Sequence, residues 1–310
     1  MNLKPEHKNL LIFSAKPTLF ISFSGGATSA FMTDQLIEKY SYKYNFVVLF
    51  ANTGQEHPKT LEFVRNCDER WGGIVVWLEA VVNPEKGKGT RHKIVNFETC
   101  TKWDNHSEDT PFFQVVKKYG LPGPGTPQIC TRELKGAVMT SYRRDFEALH
   151  KIKCYNAIGI RNDETKRLMN EEKRKKFRVV YPLVDWFSSS KVDVLSFWDK
   201  QPFKLGLDEH LGNCLSCWKK TKSKHIKIIK SNPEYYGLFR KLEEKHSQTN
   251  NKEGYEPRRF FRGNRTVDQM FLMAEMIPIS NITPEDEMDE LNECGESCDA
   301  NTPETLEYEE

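Results

Sequence analysis

Phe23-Ser24-Gly25-Gly26-Ala27-Thr28-Ser29-Ala30 is the stretch on which the fold of this 310-residue chain turns. The run before it, Thr18-Leu19-Phe20-Ile21-Ser22-Phe23, is apolar and β-branched and reads as a short buried strand. Behind the glycine pair Ala30, Phe31, Leu36 and Ile37 recur at helical spacing, as the buried face of a helix. Glycine lets a backbone adopt positive φ and come close to a ligand. The first N–H groups of the helix, with the hydroxyls of Ser24, Thr28 and Ser29, then face an anion. An ordinary tight strand-to-helix turn uses the same residue types, so the context has to decide between the two readings.

Outward from this loop the rhythm repeats. Residues 46–51 (Phe-Val-Val-Leu-Phe-Ala) form a continuous apolar run, as a strand buried on both faces requires. Asn52-Thr53-Gly54 is a turn, 59–71 a helix and 73–78 a third strand. A polar stretch over 83–126 contains one helical pattern, 112–119, and Leu121-Pro122-Gly123-Pro124-Gly125-Thr126-Pro127 must be loop. Residues 132–146 read as a helix, 154–160 as a strand, 161–176 as a charged exposed segment and 179–183 as an edge strand. Ser188-Ser189-Ser190 caps a helix carrying Val192, Val194, Leu195 and Trp198. Such alternation predicts an α/β fold: a mainly parallel twisted sheet with helices on both faces, followed by a helical C-terminal part. The expected units are a nucleotide-binding domain over 1–190, a helical region over 191–280 and an acidic tail over 281–310.

Charge is unevenly spread. The last 26 residues hold 12 of the 44 acidic side chains and no Lys or Arg, so the preceding chain, with all 46 basic residues, carries an excess of 14 positive charges. A body of that sign attracts polyanions such as nucleotides or nucleic acid, although a solvated lysine-rich surface has the same composition. No apolar run is long enough to span a bilayer and the first residues lack a secretion signal, so a cytoplasmic protein is expected, in the host cytoplasm if phage-encoded.

Four ordered blocks resemble one family. The 24–29 loop is similar to the SGGxDS signature of the PP-loop superfamily, the adenine nucleotide alpha hydrolase-like fold. Asn52-Thr53-Gly54-Gln55-Glu56-His57-Pro58, Pro127-Gln128-Ile129-Cys130-Thr131-Arg132 and Gly159-Ile160-Arg161-Asn162-Asp163-Glu164 with Arg167 resemble blocks of its PAPS-reductase branch, over about residues 18–220. A phage or mobile-element group with an SFSGGxTSA loop is the most similar. The resemblance implies an adenine nucleotide (PAPS, APS or ATP) bound by Ser24, Gly25, Gly26, Ala27, Thr28, Ser29, Asn52, Thr53, Gly54, Gly159, Arg161 and Arg167. Within the loop it departs at one position: Thr28 stands where many relatives carry Asp, a carboxylate that helps hold Mg²⁺, so magnesium-assisted ATP cleavage loses a ligand.

Eight cysteines in a cytoplasmic chain point to metal, cluster or redox chemistry rather than a disulfide framework. Cys214 and Cys217 form a CxxC flanked by Lys219 and Lys220, whose charge favours thiolates. By the resemblance Cys130 adds a third thiolate, where iron–sulfur relatives carry two; Ile129 replaces the other. Cys294, Cys298 or Cys100 could complete the shell, and a [4Fe–4S] cluster or zinc remains open on spacing alone. Cys294, in Glu293-Cys294-Gly295, is similar to the tail nucleophile of sulfonucleotide reductases, with thioredoxin-like thiols as reductant, though Glu296 stands where that motif ends in His. Lys219 to Lys230 and Arg258 to Arg265, with Trp218, Tyr255 and Phe260, could instead track a nucleic acid. Two classes follow: a PAPS reductase-like enzyme, as sulfonucleotide reductase or ATP-dependent sulfurtransferase, or a non-catalytic nucleotide or nucleic-acid binder that keeps the loop.

Overall fold

A computed structural model describes residues 16–279, apart from Lys86, Asn213 and Lys252. In strand β1 (Thr18–Phe23) the period of two sends Leu19, Ile21 and Phe23 into one core and Phe20 into another, so both faces of the strand are buried. Strands β2 (Asn45–Ala51), β3 (Val75–Val81), β4 (Arg91–Val95), β5 (Tyr155–Ile158) and β6 (Val179–Val180) join it in the order β4-β3-β2-β1-β5-β6. All pairs are parallel except β3 with β4.

The helices, in chain order, are α1 (Ala27–Tyr40), α2 (Pro58–Arg70), α3 (Pro111–Tyr119), α4 (Ala137–His150), α5 (Glu171–Phe177), α6 (Pro182–Asp185), α7 (Lys191–Asp199), α8 (Lys222–Ser231), α9 (Gly237–His246) and α10 (Val267–Met276). One face of the sheet is covered by α1, α2 and α7 through Phe31, Leu36, Phe63, Val64 and Trp198. The other is covered by α3, α4 and the C-terminal helices, which share one core through Phe113, Tyr142, Ile228, Phe239 and Phe260. The expected architecture is therefore present: a mainly parallel sheet, helices on both faces and a helical C-terminal part. Among the described residues no helix is long and apolar enough to cross a membrane.

Three local expectations are corrected. Residues 91–95, part of the stretch read as polar, form the antiparallel edge strand; Arg91 and Lys93 are exposed, while Ile94 packs on the core of the opposite face and Val95 is buried at the strand's end. The edge strand expected over 179–183 stops at Val180, because Pro182 starts α6. The helix expected from 132 begins as a π-helical stretch, Arg132–Gly136, before α4.

The sheet order places the site. Strands β1 and β5 are neighbours, and the connection from β1 to β2 and that from β5 to β6 run in opposite directions along the sheet. In open parallel sheets a crevice opens at the carboxyl ends of the strands flanking such a reversal, and ligands bind there. Here those ends carry the 24–29 loop, after β1, and Gly159 to Arg161, after β5.

Candidate functional site

The 24–29 loop is built around Gly25. Its φ is +79°, and a Cβ there would lie 2.9 Å from Thr60 Cγ2 and 3.1 Å from Phe50 Cε2, so only glycine fits between β2 and α2. Gly26 is the N-cap of α1 and brings no side-chain cap, and the first turn holds no acidic residue. The first N–H groups of α1 are thus left to bind an anion at the positive end of the helix. Ser29 does not contribute its hydroxyl as expected. It turns inward, accepting from Ser24 N at 3.2 Å and donating to Gly26 O at 3.1 Å, and so holds the loop closed. Behind the loop Trp198 Nε1 donates to Ala27 O at 2.9 Å.

Across the crevice, Gly159 packs on α1: a Cβ would stand 3.1 Å from Ser29 Cα. The next turn brings Arg161 back to the loop, where its Nη1 donates to Thr28 Oγ1 at 3.2 Å. Asp163 Oδ1 accepts from Arg161 Nε at 2.9 Å. Burial pushes the Asp163 carboxyl up, but the bonds from Arg161 and from the Lys191 N–H outweigh it and hold its pKa below the ordinary value. Arg167 pairs with Glu164.

The turn after β2 is fixed from below. Glu79 on β3 is fully buried, and its Oε1 accepts from Asn52 Nδ2 at 2.7 Å and from Thr101 N at 2.5 Å. Lys93 Nζ stands 3.1 Å from Glu79 Oε2 and balances the charge. Asn52 in turn accepts from Gly54 N at 3.3 Å, and a Cβ on Gly54 would strike Thr101 Cγ2 at 2.9 Å. Beyond the turn, Thr53 Oγ1 donates to Glu56 Oε1 at 3.0 Å.

This same turn holds the CxxC. Leu215 N donates to Gln55 O at 2.9 Å, and Glu56 and Cys214 pair as an isolated antiparallel bridge. Cys214 Sγ lies 3.5 Å from Thr53 Oγ1 and 4.0 Å from Glu56 Oε1, and Lys135 Nζ is 3.9 Å from that same carboxylate oxygen. Lys135 comes from the π-helical stretch, a distortion found mostly at functional sites. Cys130 is drawn in from the other side, where Lys219 Nζ donates to Gln128 Oε1 at 2.6 Å. As a result Cys130, Cys214 and Cys217 all line one cavity, with Thr53, Thr131, Lys135, Trp218 and a wall of Phe112, Leu134 and Phe239. Among the described residues no three His, Cys, Asp or Glu side chains form a group that could hold a metal ion.

The remaining candidates lie elsewhere. Cys294 and Cys298 fall outside the described residues. Cys100, named as a further ligand, is buried beside Lys102, whose Nζ donates to its sulfur at 3.1 Å. Phe260 cannot stack on a base, since it is wholly buried against Phe239; this corrects one member of the nucleic-acid reading. Sequence reading did not assign Glu56, Lys135 or Glu79. Glu56 stands in the block after the second strand that resembles the family, and Glu79 is a lone carboxylate inside the apolar run Val75-Val76-Trp77-Leu78-Glu79-Ala80-Val81.

The profile of the phosphoadenosine phosphosulfate reductase domain matches residues 18–202. The uncharacterized nin region protein ORF290 of Escherichia phage lambda is 35% identical over 210 residues, which cover 66% of this chain and 67% of that one. Among solved structures, phosphoadenylyl-sulfate (PAPS) reductase from Candida auris, in a phosphate complex, aligns over 64% of this chain and 88% of its own at a TM-score of 0.35 and 16% identity. The U34-tRNA thiolase NcsA from Methanococcus maripaludis, with its [4Fe-4S] cluster, aligns over 91% of this chain and 77% of its own, at a TM-score of 0.35 and 14% identity.

Proposed function

The chain belongs to the phosphoadenosine phosphosulfate reductase domain family, and on that premise we propose that it is an enzyme that binds an adenine nucleotide at the 24–29 loop and handles sulfur with the cysteines of the adjoining cavity. The observation that carries this reading is the join between the 52–56 turn and the CxxC, made by Leu215 N on Gln55 O at 2.9 Å and by Cys214 beside Thr53 at 3.5 Å. A nucleotide lying along that turn has thiols, not bulk solvent, at its reactive end.

A sulfonucleotide uses this arrangement most directly. The Cys214 thiolate attacks the sulfonyl sulfur, the bond from sulfur to the phosphate oxygen breaks, and the nucleoside phosphate leaves with the electron pair. Cys217 then attacks the Cys214 sulfur and releases sulfite, leaving a disulfide that a thioredoxin-like dithiol reduces. Glu56, 4.0 Å from Cys214 Sγ, is the acceptor for the thiol proton.

Three thiols on one cavity suit zinc or an iron–sulfur cluster in kind. The described residues do not gather three such ligands into a coordinating group, so no step is assigned to a metal. The shared cavity favours one second reading, ATP-dependent sulfur transfer: an acceptor oxygen attacks the α-phosphorus and pyrophosphate leaves. The outer sulfur of a cavity cysteine loaded by a persulfide donor attacks the activated carbon, and AMP leaves with the oxygen. A second cavity thiol then attacks the inner sulfur, freeing the thiolated acceptor and leaving a disulfide for a dithiol to reduce.

The test is product analysis on anaerobically purified protein with a dithiol reductant. Sulfite from PAPS, abolished in Cys214→Ala, is the expected result. Pyrophosphate from ATP without sulfite from PAPS would replace it with the second reading. Neither product, with nucleotide still bound, would make the chain a binder that has lost turnover.

A further inference from the structure

The phosphate loop lacks the carboxylate that many relatives place at the position of Thr28, and a cation from this chain stands there. Arg161 Nη1 donates to Thr28 Oγ1 at 3.2 Å. The guanidinium is held from behind: its Nε is bonded to Asp163 Oδ1 at 2.9 Å, and its Nη1 lies 3.5 Å from Glu164 Oε2. Both carboxylates are otherwise engaged. Asp163 Oδ2 accepts from Lys191 N at 3.2 Å, and Glu164 accepts from Arg161 N at 3.2 Å and pairs with Arg167. Arg161 Nη2 takes part in none of these contacts.

Hard divalent cations are held by anionic oxygens. At this loop such an ion would meet a hydroxyl already accepting from a guanidinium, and carboxylates already facing arginines. A phosphate or sulfate oxygen meets the opposite situation: the uncapped N-terminus of α1, with no acidic residue in its first turn, and a planar cation fixed beside it.

We propose that Thr28 is a specificity-determining residue. Because its hydroxyl accepts from Arg161, the guanidinium takes the part of the divalent cation, and the site selects an adenine nucleotide whose anionic tail is free of metal. This rests on the reading that the loop binds a nucleotide. An aspartate at the same place would capture Arg161 as an ion pair, repel the anion from the helix end and provide the missing metal ligand.

Isothermal titration with ATP, once in EDTA and once in excess Mg²⁺, tests the assignment on the full chain, on Thr28→Asp and on Arg161→Ala. The unaltered protein is expected to bind at least about tenfold more tightly in EDTA than in excess Mg²⁺, where ATP is held as its metal complex. Thr28→Asp is expected to bind at least about tenfold more weakly in EDTA and to recover in Mg²⁺; Arg161→Ala is expected to lose about tenfold in EDTA, whatever the fate of the first variant. An unaltered protein that binds equally well or better with Mg²⁺ overturns the proposal while leaving the nucleotide site intact. Absence of binding in both buffers, with PAPS as with ATP, overturns the nucleotide reading itself, and this proposal with it.

Discussion

Glu79 on β3 and Asn52 at the end of β2 are bonded side chain to side chain, Asn52 Nδ2 donating to Glu79 Oε1 at 2.7 Å with both residues out of solvent. The carboxylate also takes the Thr101 N–H and faces Lys93, so it ties the turn after β2 to two other segments. Glu79→Ala removes the acceptor of four donors: Asn52 Nδ2, the Thr101 N–H and hydroxyl, and Lys93 Nζ. A loss of about 3 kcal/mol in urea unfolding is expected, against about 1 kcal/mol for Glu79→Gln, which keeps one acceptor oxygen. Glu79→Gln is also expected to weaken nucleotide binding, because the 52–54 turn loosens. Equal stability losses for the two variants would show that the charge, and not the acceptor oxygen that Gln retains, carries the effect.

Gly25 and Gly159 hold the two sides of the crevice by having no side chain. Gly25→Ala places a Cβ 2.9 Å from Thr60 Cγ2 at a φ of +79°, a strain of about 1–2 kcal/mol before any overlap is counted. Gly159→Ala sets a Cβ 3.1 Å from the backbone of Ser29, which cannot yield without moving the loop. Both variants are expected to fold and to lose nucleotide affinity, read by titration with ATP. Unchanged affinity in Gly159→Ala would mean that the strand after α4 does not shape the site.

The parts legible in the sequence are those governed by local pattern. The run ending at Phe23, the glycine pair behind it and the apolar 46–51 segment announce buried strands and a close backbone turn without reference to the rest of the chain. Strand β4 hides because an edge strand with one wet face carries Arg91, His92 and Lys93 where a central strand carries valines. The π-helical stretch that aims Lys135 leaves no mark in residue spacing. Nor can spacing tell that Cys214 sits beside Thr53, since that contact crosses 161 positions and is made by packing. Cys130 and the CxxC are nameable as residue types; their common cavity requires the fold.

His225 is buried against Tyr236 and Phe261, with Nδ1 2.6 Å from the Tyr236 hydroxyl. Burial first, then Lys220 and Arg262, push its pKa down to about 3, from an ordinary value of 6.5. The unfolded chain therefore binds a proton that the folded chain refuses between these two values, and stability rises with pH across that window. The slope from this group is at most about 1.4 kcal/mol per pH unit, and above about pH 7 its contribution is constant. His225→Phe is expected to lower stability at neutral pH through the lost bond to Tyr236, and to remove this part of the acid slope. Denaturant unfolding at about pH 5 and pH 7 measures both. An acid slope unaltered by His225→Phe would assign it to other groups.

Reactivity should divide the described cysteines by place. Burial raises the thiol pKa of Cys67, with Asp34 adding to it, and burial raises that of Cys100 against the opposing bond from Lys102. Cys154 is pushed up to about 11 by burial and then by Glu147. Alkylation requires the thiolate, and at pH 8 only about one Cys154 in a thousand is ionised even when reached. Cys214 and Cys217 are half-buried on the cavity wall, next to the turn after β2. With iodoacetamide at about pH 8, followed by mass spectrometry of peptides, Cys214 and Cys217 are expected to be labelled in the native protein. Cys67, Cys100 and Cys154 are expected to react only after urea is added. Saturating nucleotide should slow Cys214 more than Cys217, since Cys214 is the thiol beside Thr53 and Glu56. No slowing of either would separate the thiols from the nucleotide and remove the basis for placing sulfur chemistry at their junction.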